Sequence, residues 1–395
     1  MPLLEPYATL LRGTGAAAPL AASLVGRLAL GTTGLAVLLT VRDSTGSYAA
    51  AGLVGAAYAL SFAAFAPVRA RRADRHGPRG VVLACGLLHP AVLLALVLLA
   101  AGGAGAALLA AAAVLAGATV PPLGGVMRAL WGTLAGGDAL TTAYSLESVV
   151  VEACFVGGPL LVAGLSALAG PSAAVLAAGL LVLVGSCWLV STPALRAVVP
   201  HAPPPGVRRA RPLSSPAVRA LLGAVAGVGA GFGAIEVALP AFVEAHAGRP
   251  STAGVLLAVW SAGSILGGLV YGAVRLAVPH GRQLPWIVAA LAAGTALPLL
   301  AGSPLVMGAV LVPYGFTIAP FSTCNSVLLG RAAPAGTTTE AFAWSGSMIF
   351  GGAALGNAGA GWLVEHSGSR AALALVAVTG VLALLSALGG RVRTA

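Results

Sequence analysis

The chain is written as long apolar runs parted by short polar punctuation. Runs of mostly apolar residues fall near 20–41, 47–68, 80–101, 105–127, 143–167, 172–192, 216–242, 252–274, 284–302, 304–330, 337–364 and 369–390. A helix rising 1.5 Å per residue needs roughly 20 such residues to cross the hydrocarbon layer of a bilayer. The pattern predicts twelve membrane-crossing helices. A membrane β-barrel would need apolar and polar positions in alternation, and these runs do not alternate. The first run, Leu20 to Val41, exceeds the roughly 7–15 residues of a signal-peptide core and no cleavage context follows it, so it is expected to remain as an uncleaved span.

Composition agrees with a lipid setting. Hydrophobic residues make up 58% of the chain and charged residues 8%, against roughly 25% charge in a soluble domain. All 21 basic residues are arginine and the formal net charge is +11. Such a balance could indicate nucleic acid, but the arginines cluster in short connections between apolar runs, so no nucleic-acid partner is expected. With the N-terminus inside, cytoplasmic segments carry Arg12, Arg69, Arg71, Arg72, Arg75, Arg79, Arg128, Arg196, Arg208, Arg209, Arg211, Arg219, Arg275, Arg282, Arg331, Arg391 and Arg393. External loops carry only Arg42, Arg249 and Arg370. The asymmetry places both termini in the cytoplasm, in a bacterial inner membrane. Cys85, Cys154, Cys187 and Cys324 all sit inside apolar runs with no metal-ligand or disulfide spacing, and read as small hydrophobes. No nucleotide-binding Gly-Lys-Ser/Thr loop occurs, so neither an enzyme nor an ATP-driven pump is expected, and no cofactor.

The longest polar stretch, Thr192 to Pro216, contains Pro203-Pro204-Pro205 and reads as a linker. It divides the chain into residues 1–192, a cytoplasmic linker 193–215, and residues 216–395. Pro121-Pro122 near the end of the fourth run is matched by Ala319-Pro320 in the tenth, and Ala143-Tyr144 by Ala341-Phe342, at one offset of about half the chain. The expected fold is an all-α membrane protein with twelve helices in two pseudo-symmetric six-helix halves, the layout of repeat-built transporters.

The connection after the second run reads Ala70-Arg71-Arg72-Ala73-Asp74-Arg75-His76-Gly77-Pro78-Arg79. It resembles the loop signature of the major facilitator superfamily, Gly-x-x-x-Asp-x-x-Gly-Arg-Arg/Lys, with Ala70 at the first Gly, Asp74 and Gly77 matching, Pro78 at the first Arg, and Arg79 matching. The resemblance implies a cytoplasmic lock in which Asp74, Arg75, Gly77 and Arg79 hold the outward-facing state. A bland alternative is a positive-inside anchor, which needs no acid. Glu152-Ala153-Cys154-Phe155-Val156-Gly157-Gly158-Pro159 in the fifth run is similar to the Gly-Pro signature of the drug and metabolite exporters of that superfamily, with Cys154 at a usual Gly and Val162-Ala163 at a usual Gly pair. Gly157, Gly158 and Pro159 are expected to let span five bend and approach a neighbour closely. Span eight (Gly263, Gly267, Gly268, Gly272) is the expected neighbour, and spans two (Gly52, Gly55) and eleven (Gly352, Gly356) the second seam. Relatives with an acid in span one and an arginine inside span four offer no scheme to copy: span one has Arg27 and no acid, and Arg128 falls at the cytoplasmic end of span four.

A charge near the bilayer centre costs at least about 2.5–3.5 kcal/mol on insertion scales, which makes it a functional candidate. Arg27, Glu152 and Glu236 lie well inside runs, Glu147 and Glu340 nearer the ends. Arg27 and Glu152 fall at similar depth, so an ion pair between them is expected. Glu152 and Glu236 are the candidate proton carriers, since a carboxyl whose surroundings change during a cycle can load and release a proton; static pairing or direct binding of a cation are the alternatives. Tyr58, Trp260, Tyr314 and Trp344 are expected to line a central cavity, and His89 to pack. The reading is a monomeric secondary transporter working by alternating access, exporting a small amphipathic drug or metabolite in exchange for protons. An uptake symporter of the same fold, or a non-transporting receptor or scaffold, are the rivals.

Overall fold

The computed structural model describes residues 4–198, 210–246, 250–274 and 276–389. Pro203-Pro204-Pro205, Arg208, Arg209, Arg249, Arg275, Arg391 and Arg393 lie outside the described residues. A short helix, Glu5–Thr14, precedes spans one to six: Ala17–Thr45, Tyr48–His76, Pro78–Ala101, the broken pair Ala106–Thr119 and Leu123–Leu134, Asp138–Ala169, and Pro171–Ser191. Spans seven to twelve are Pro216–Ala245, Pro250–Ala273, His280–Ala296, the pair Pro304–Phe316 and Ile318–Ala332, Thr338–Ser367, and Ser369–Gly389. Among the described residues there are no strands. Eleven of these spans are long and apolar enough to cross a membrane. The other, Thr338–Ser367, is a 30-residue helix diluted by Glu340, Ser345, Ser347 and Asn357, and it packs among the rest.

Local chemistry sets the ends. Gly77 has φ +89° and turns span two directly into span three, whose first residue is Pro78; only glycine takes that φ without strain, and proline suits the first helical position. Gly170-Pro171 repeats the device between spans five and six. Ser215 and Ser303 cap spans seven and ten through Val218 N and Val306 N. Span four stops at Thr119 and restarts at Leu123, because Pro121 and Pro122 supply no N–H to the ladder. Span ten breaks between Phe316 and Ile318, at the half-chain offset the sequence anticipated.

Several helices outrun their apolar segments. Span two continues to His76, span four to Leu134, and span five begins at Asp138. Leu87, Leu98, Leu160, Trp286, Leu305 and Leu382 are exposed; they form the kind of apolar belt that lipid, and not water, would cover.

The buried cores define two ends. One cluster draws Val37, Val41, Val54, Leu109 and Val175 from spans one to six, and a separate one draws Leu239, Phe242, Leu256, Met307 and Val376 from spans seven to twelve. A third mixes both sets: Met127, Trp131 and Tyr144 with Leu221, Tyr271, Phe321 and Phe342. This shared core lies at the face where the odd-numbered spans begin, which also carries the helix Glu5–Thr14. Toward the opposite face the two sets keep separate cores.

The close helix seams differ from those anticipated. A methyl added at Gly158 would run into the backbone of Gly31, so Gly157-Gly158-Pro159 seats span five on span one and not on span eight. Gly263 and Gly267 face Val312 and Phe316 of span ten, while Gly268 and Gly272 meet span five at Val149 and Ser145. Gly352 and Gly356 pack on Ala226 and Ala230 of span seven, and Gly52 and Gly55 face open space. Small residues therefore join helices mostly within each set of six, where close backbone approach is static packing.

Candidate functional site

The set-to-set joint is polar and specific. Asp74, near the end of span two, accepts hydrogen bonds from the backbone N–H groups of Thr339 (3.2 Å) and Glu340 (2.8 Å) at the first turn of span eleven. A carboxylate at a helix N-terminus satisfies orphan donors and meets the positive end of the dipole. Arg71 Nη2 donates to Glu340 Oε1 at 2.6 Å, closing the pair reciprocally. Arg75 and Arg79 are exposed on the same face. Thr142 Oγ1 donates to Gly272 O (2.7 Å), Ser347 Oγ to Ala63 O (2.6 Å), and Ser145 Oγ lies 3.2 Å from Thr323 Oγ1. Tyr7, on the short first helix, donates to Gly268 O and Leu269 O at 3.1 and 3.0 Å, and burial pushes its phenol up to about 12.

Behind this joint lies one large chamber of about 1020 Å³, lined from spans one, two, four, five, seven, eight, ten and eleven, with His89 of span three and Val182 of span six at its wall. Its walls are mainly apolar and aromatic, with Phe62 edge-on to Phe350 (5.3 Å between centroids) and Phe232 edge-on to Trp260 (5.1 Å). Of the four anticipated aromatics, Tyr58 and Trp260 line the chamber. Tyr314 and Trp344 do not: Tyr314 is fully buried behind Trp260, and Trp344 packs against the shared core. The phenylalanines, which no charge or spacing marked in the sequence, take their place.

Both anticipated acids reach the chamber. Glu152 accepts from Ser264 Oγ at 2.7 Å, across from span eight, with Ser261 as a second hydroxyl partner. Glu236 is exposed in the chamber, with the side chain of Asn357 on span eleven as its hydrogen-bond partner. Arg27 pairs with Glu147 and not with Glu152: Arg27 Nη1 lies 2.5 Å from Glu147 Oε2, and Trp131 Nε1 donates to Glu147 Oε1 at 3.1 Å. The reason is the earlier start of span five at Asp138, which puts Glu147, and not Glu152, level with Arg27, each about ten residues into its helix. Glu147 is fully buried and Arg27 nearly so.

Two arginines assigned to connections are interior. Arg69 donates through Nη1 to Gly117 O (3.0 Å) and Ala118 O (2.6 Å), capping the carbonyl end where span four breaks. Arg128 lines the chamber, its guanidinium 5.9 Å from the Phe342 ring centroid. Because span four runs on to Leu134, Arg128 sits well within a helix and not at its end. His89 is buried, its Nδ1 3.0 Å from Ala116 O, and it also borders the chamber.

An all-helical membrane protein with a central chamber, closed by a seam between two sets of six spans, has the architecture of a solute transporter. The sequence matches the model of the Major Facilitator Superfamily over residues 20–344, and the chain belongs to that superfamily. No curated protein matches it. Among solved structures, the fold is similar to a bacterial homologue of the iron transporter ferroportin in an outward-facing state (TM-score 0.80, 14% identity, covering 95% of this chain and 98% of that one). It is also similar to the human organic anion transporter MFSD10 (0.68, 19%, 98% and 95%) and to the E. coli fucose:proton symporter FucP (0.71, 17%, full coverage of both). At these identities the likeness is one of fold.

Proposed function

We propose that the chain is a secondary transporter that exports a small amphipathic compound in exchange for protons, by alternating access of the chamber to the two faces. The observation that carries the reading is the chamber's pair of acids. Glu152 and Glu236 stand on spans five and seven, in different sets of six, and hold only neutral partners, Ser264 and Asn357. An ionised carboxylate in an apolar wall is costly, so a proton that comes and goes with the substrate is the natural counter-charge. Residues 1–192 and 216–395 act as the two moving bodies about linker 193–215, both termini face the cytoplasm of a bacterial inner membrane, and the protein works as a monomer. Asp74 and Arg71 then form the cytoplasmic lock, with Arg75 and Arg79 as anchors beside it.

Export over uptake rests on the partial Gly-Pro signature of span five. Iron, the cargo of the ferroportin homologue's family name, finds no group of three His, Cys, Asp or Glu side chains placed to hold a metal ion among the described residues. The test is purified protein in liposomes with an imposed pH gradient and ethidium or carboxyfluorescein as reporter. Gradient-driven movement opposite to the proton flow is expected, lost in Glu236→Gln and Glu152→Gln while downhill exchange survives. If both variants respond to the gradient as the parent does, coupling does not run through these acids; movement with the proton flow would make the chain a symporter.

A further inference from the structure

Span four restarts as a helix whose first turn opens into the chamber. That helix, Leu123–Leu134, is 12 residues long and no side chain caps its beginning. Leu123 N bonds Pro121 O and Val126 N bonds Pro122 O, while the N–H groups of Gly124 and Gly125 meet no acceptor among the described residues. The first N–H groups of a helix lack a carbonyl of their own and carry the positive end of its dipole. Both prolines of the break and both glycines line the chamber.

Three guanidinium groups are strung along the same stretch, and all three line the chamber. Arg69 holds the carbonyls of Gly117 and Ala118, just before the break. Arg27 lies over Gly124, where an added methyl would stand 3.5 Å from its Nε. Arg128 follows Gly124 by one turn and so shares its helix face. The Nε of each is buried without a hydrogen-bond partner, and Arg27 and Arg69 are only 3% and 6% exposed. Buried polar groups are nearly always paired. Arg27 has an acid, Glu147, on its Nη1; neither Arg69 nor Arg128 forms an ion pair among the described residues. Glu152 and Glu236, on spans five and seven, bond Ser264 and Asn357 instead. Around the break the chamber is rich in donors and short of negative charge.

We infer that the break in span four is an anion site, and that the chamber takes a small amphipathic organic anion through it. The carboxylate sits at the helix N-terminus, on the N–H groups of Gly124 and Gly125, with Arg27 Nε and the Arg128 guanidinium beside it. Helix N-termini bind carboxylates and phosphates in this way, and charge-assisted donors are the strong ones. The apolar body lies along the phenylalanine walls. Asn325 Oδ1 and Trp260 Nε1, also unpartnered on the chamber wall, offer that body one acceptor and one donor. This rests on the transport reading only in taking the chamber as the substrate site.

Equilibrium binding to the purified full chain, with no gradient, separates the two proposals. The probes are radiolabelled naphthoate, naphthamide and naphthylmethylammonium, one apolar body with an anionic, a neutral and a cationic head. Displaceable naphthoate binding at least about tenfold tighter than that of the amide is expected. Arg128→Gln weakens naphthoate about tenfold and leaves the amide unchanged, and Arg128→Lys recovers part of the loss. Gly124→Ala, which sets a methyl between the helix and Arg27, weakens naphthoate about threefold and again spares the amide. Naphthoate binding no tighter than that of the amide or the ammonium in the parent protein, a comparison that needs no variant to fold, overturns the inference. An Arg128→Gln protein that loses both probes equally also overturns it, since a structural role would do that. Selective naphthoate binding with no movement of any reporter in liposomes leaves the anion site standing and removes the transport reading. Gradient-driven movement of ethidium without selective naphthoate binding does the reverse.

Discussion

The Arg27–Glu147 pair is a buried ion pair whose cost can be weighed. Glu147 is fully buried and spends both oxygens, one on Arg27 at 2.5 Å and one on Trp131 at 3.1 Å. Breaking a buried pair by removing one charge costs about 3–5 kcal/mol, because the surviving ion is left uncompensated. Unfolding entropy of about 2.1 cal/mol/K per residue gives roughly 0.8 kcal/mol per kelvin for a chain of 395 residues. Glu147→Gln should therefore lower the melting temperature by about 4–6 °C in a thermal-shift assay on the purified protein. Adding Arg27→Met removes the stranded cation while the introduced amide keeps an acceptor for the Trp131 N–H, so the double variant should recover most of the loss. Glu152→Gln should barely move stability, since its amide oxygen still accepts from Ser264. A Glu147→Gln protein melting within about 1 °C of the parent, or a double variant no more stable than the single, would refute this account of the pair.

Two further perturbations probe the joint and the packing. Asp74→Asn leaves every arginine of the connection in place, so membrane insertion should be normal. Its weaker contact to the Thr339 and Glu340 N–H groups forfeits about 0.3–2 kcal/mol, which should shift accessibility of a cysteine reporter in the chamber toward the cytoplasm and slow transport; unchanged labelling and rate would remove Asp74 from the gate. Gly158→Leu drives a side chain into the Gly31 backbone and should abolish a monodisperse folded peak in gel filtration, whereas Gly52→Leu, facing open space, should not; equal behaviour of the two would contradict the seam.

The sequence announced the span number and the Asp74 connection because both are written in local terms: run length, and a short acid-and-glycine turn. What it concealed has a common cause. Hydropathy reports contact with lipid, but Arg69, Arg128 and Glu147 face protein or the chamber, near or just past the ends of the apolar runs. Reading span five as starting at 143 put Glu147 at the rim and promoted Glu152 as the partner of Arg27. The aromatic lining was hidden for another reason: Phe62, Phe232 and Phe350 read alike whether they face lipid, a core or a chamber. Only the rotation of each helix decides, and helices apolar on every side carry little signal of it.

The bonds across the joint that end on backbone carbonyls share a property that bears on how it opens. Thr142, Ser347 and Tyr7 donate to carbonyls of Gly272, Ala63, Gly268 and Leu269 that lie in helices of the other set. A carbonyl oxygen has two lone pairs, and its helical bond uses one. When such a donor withdraws, no acceptor is orphaned, and a freed Ser or Thr hydroxyl can turn to the carbonyl four residues back in its own helix, as Ser148 already does with Tyr144. For Thr142 and Ser347, separation therefore exchanges one hydrogen bond for another and leaves no carbonyl unpaired. These hydroxyls are fastened with spare valences, and they lose little when they let go.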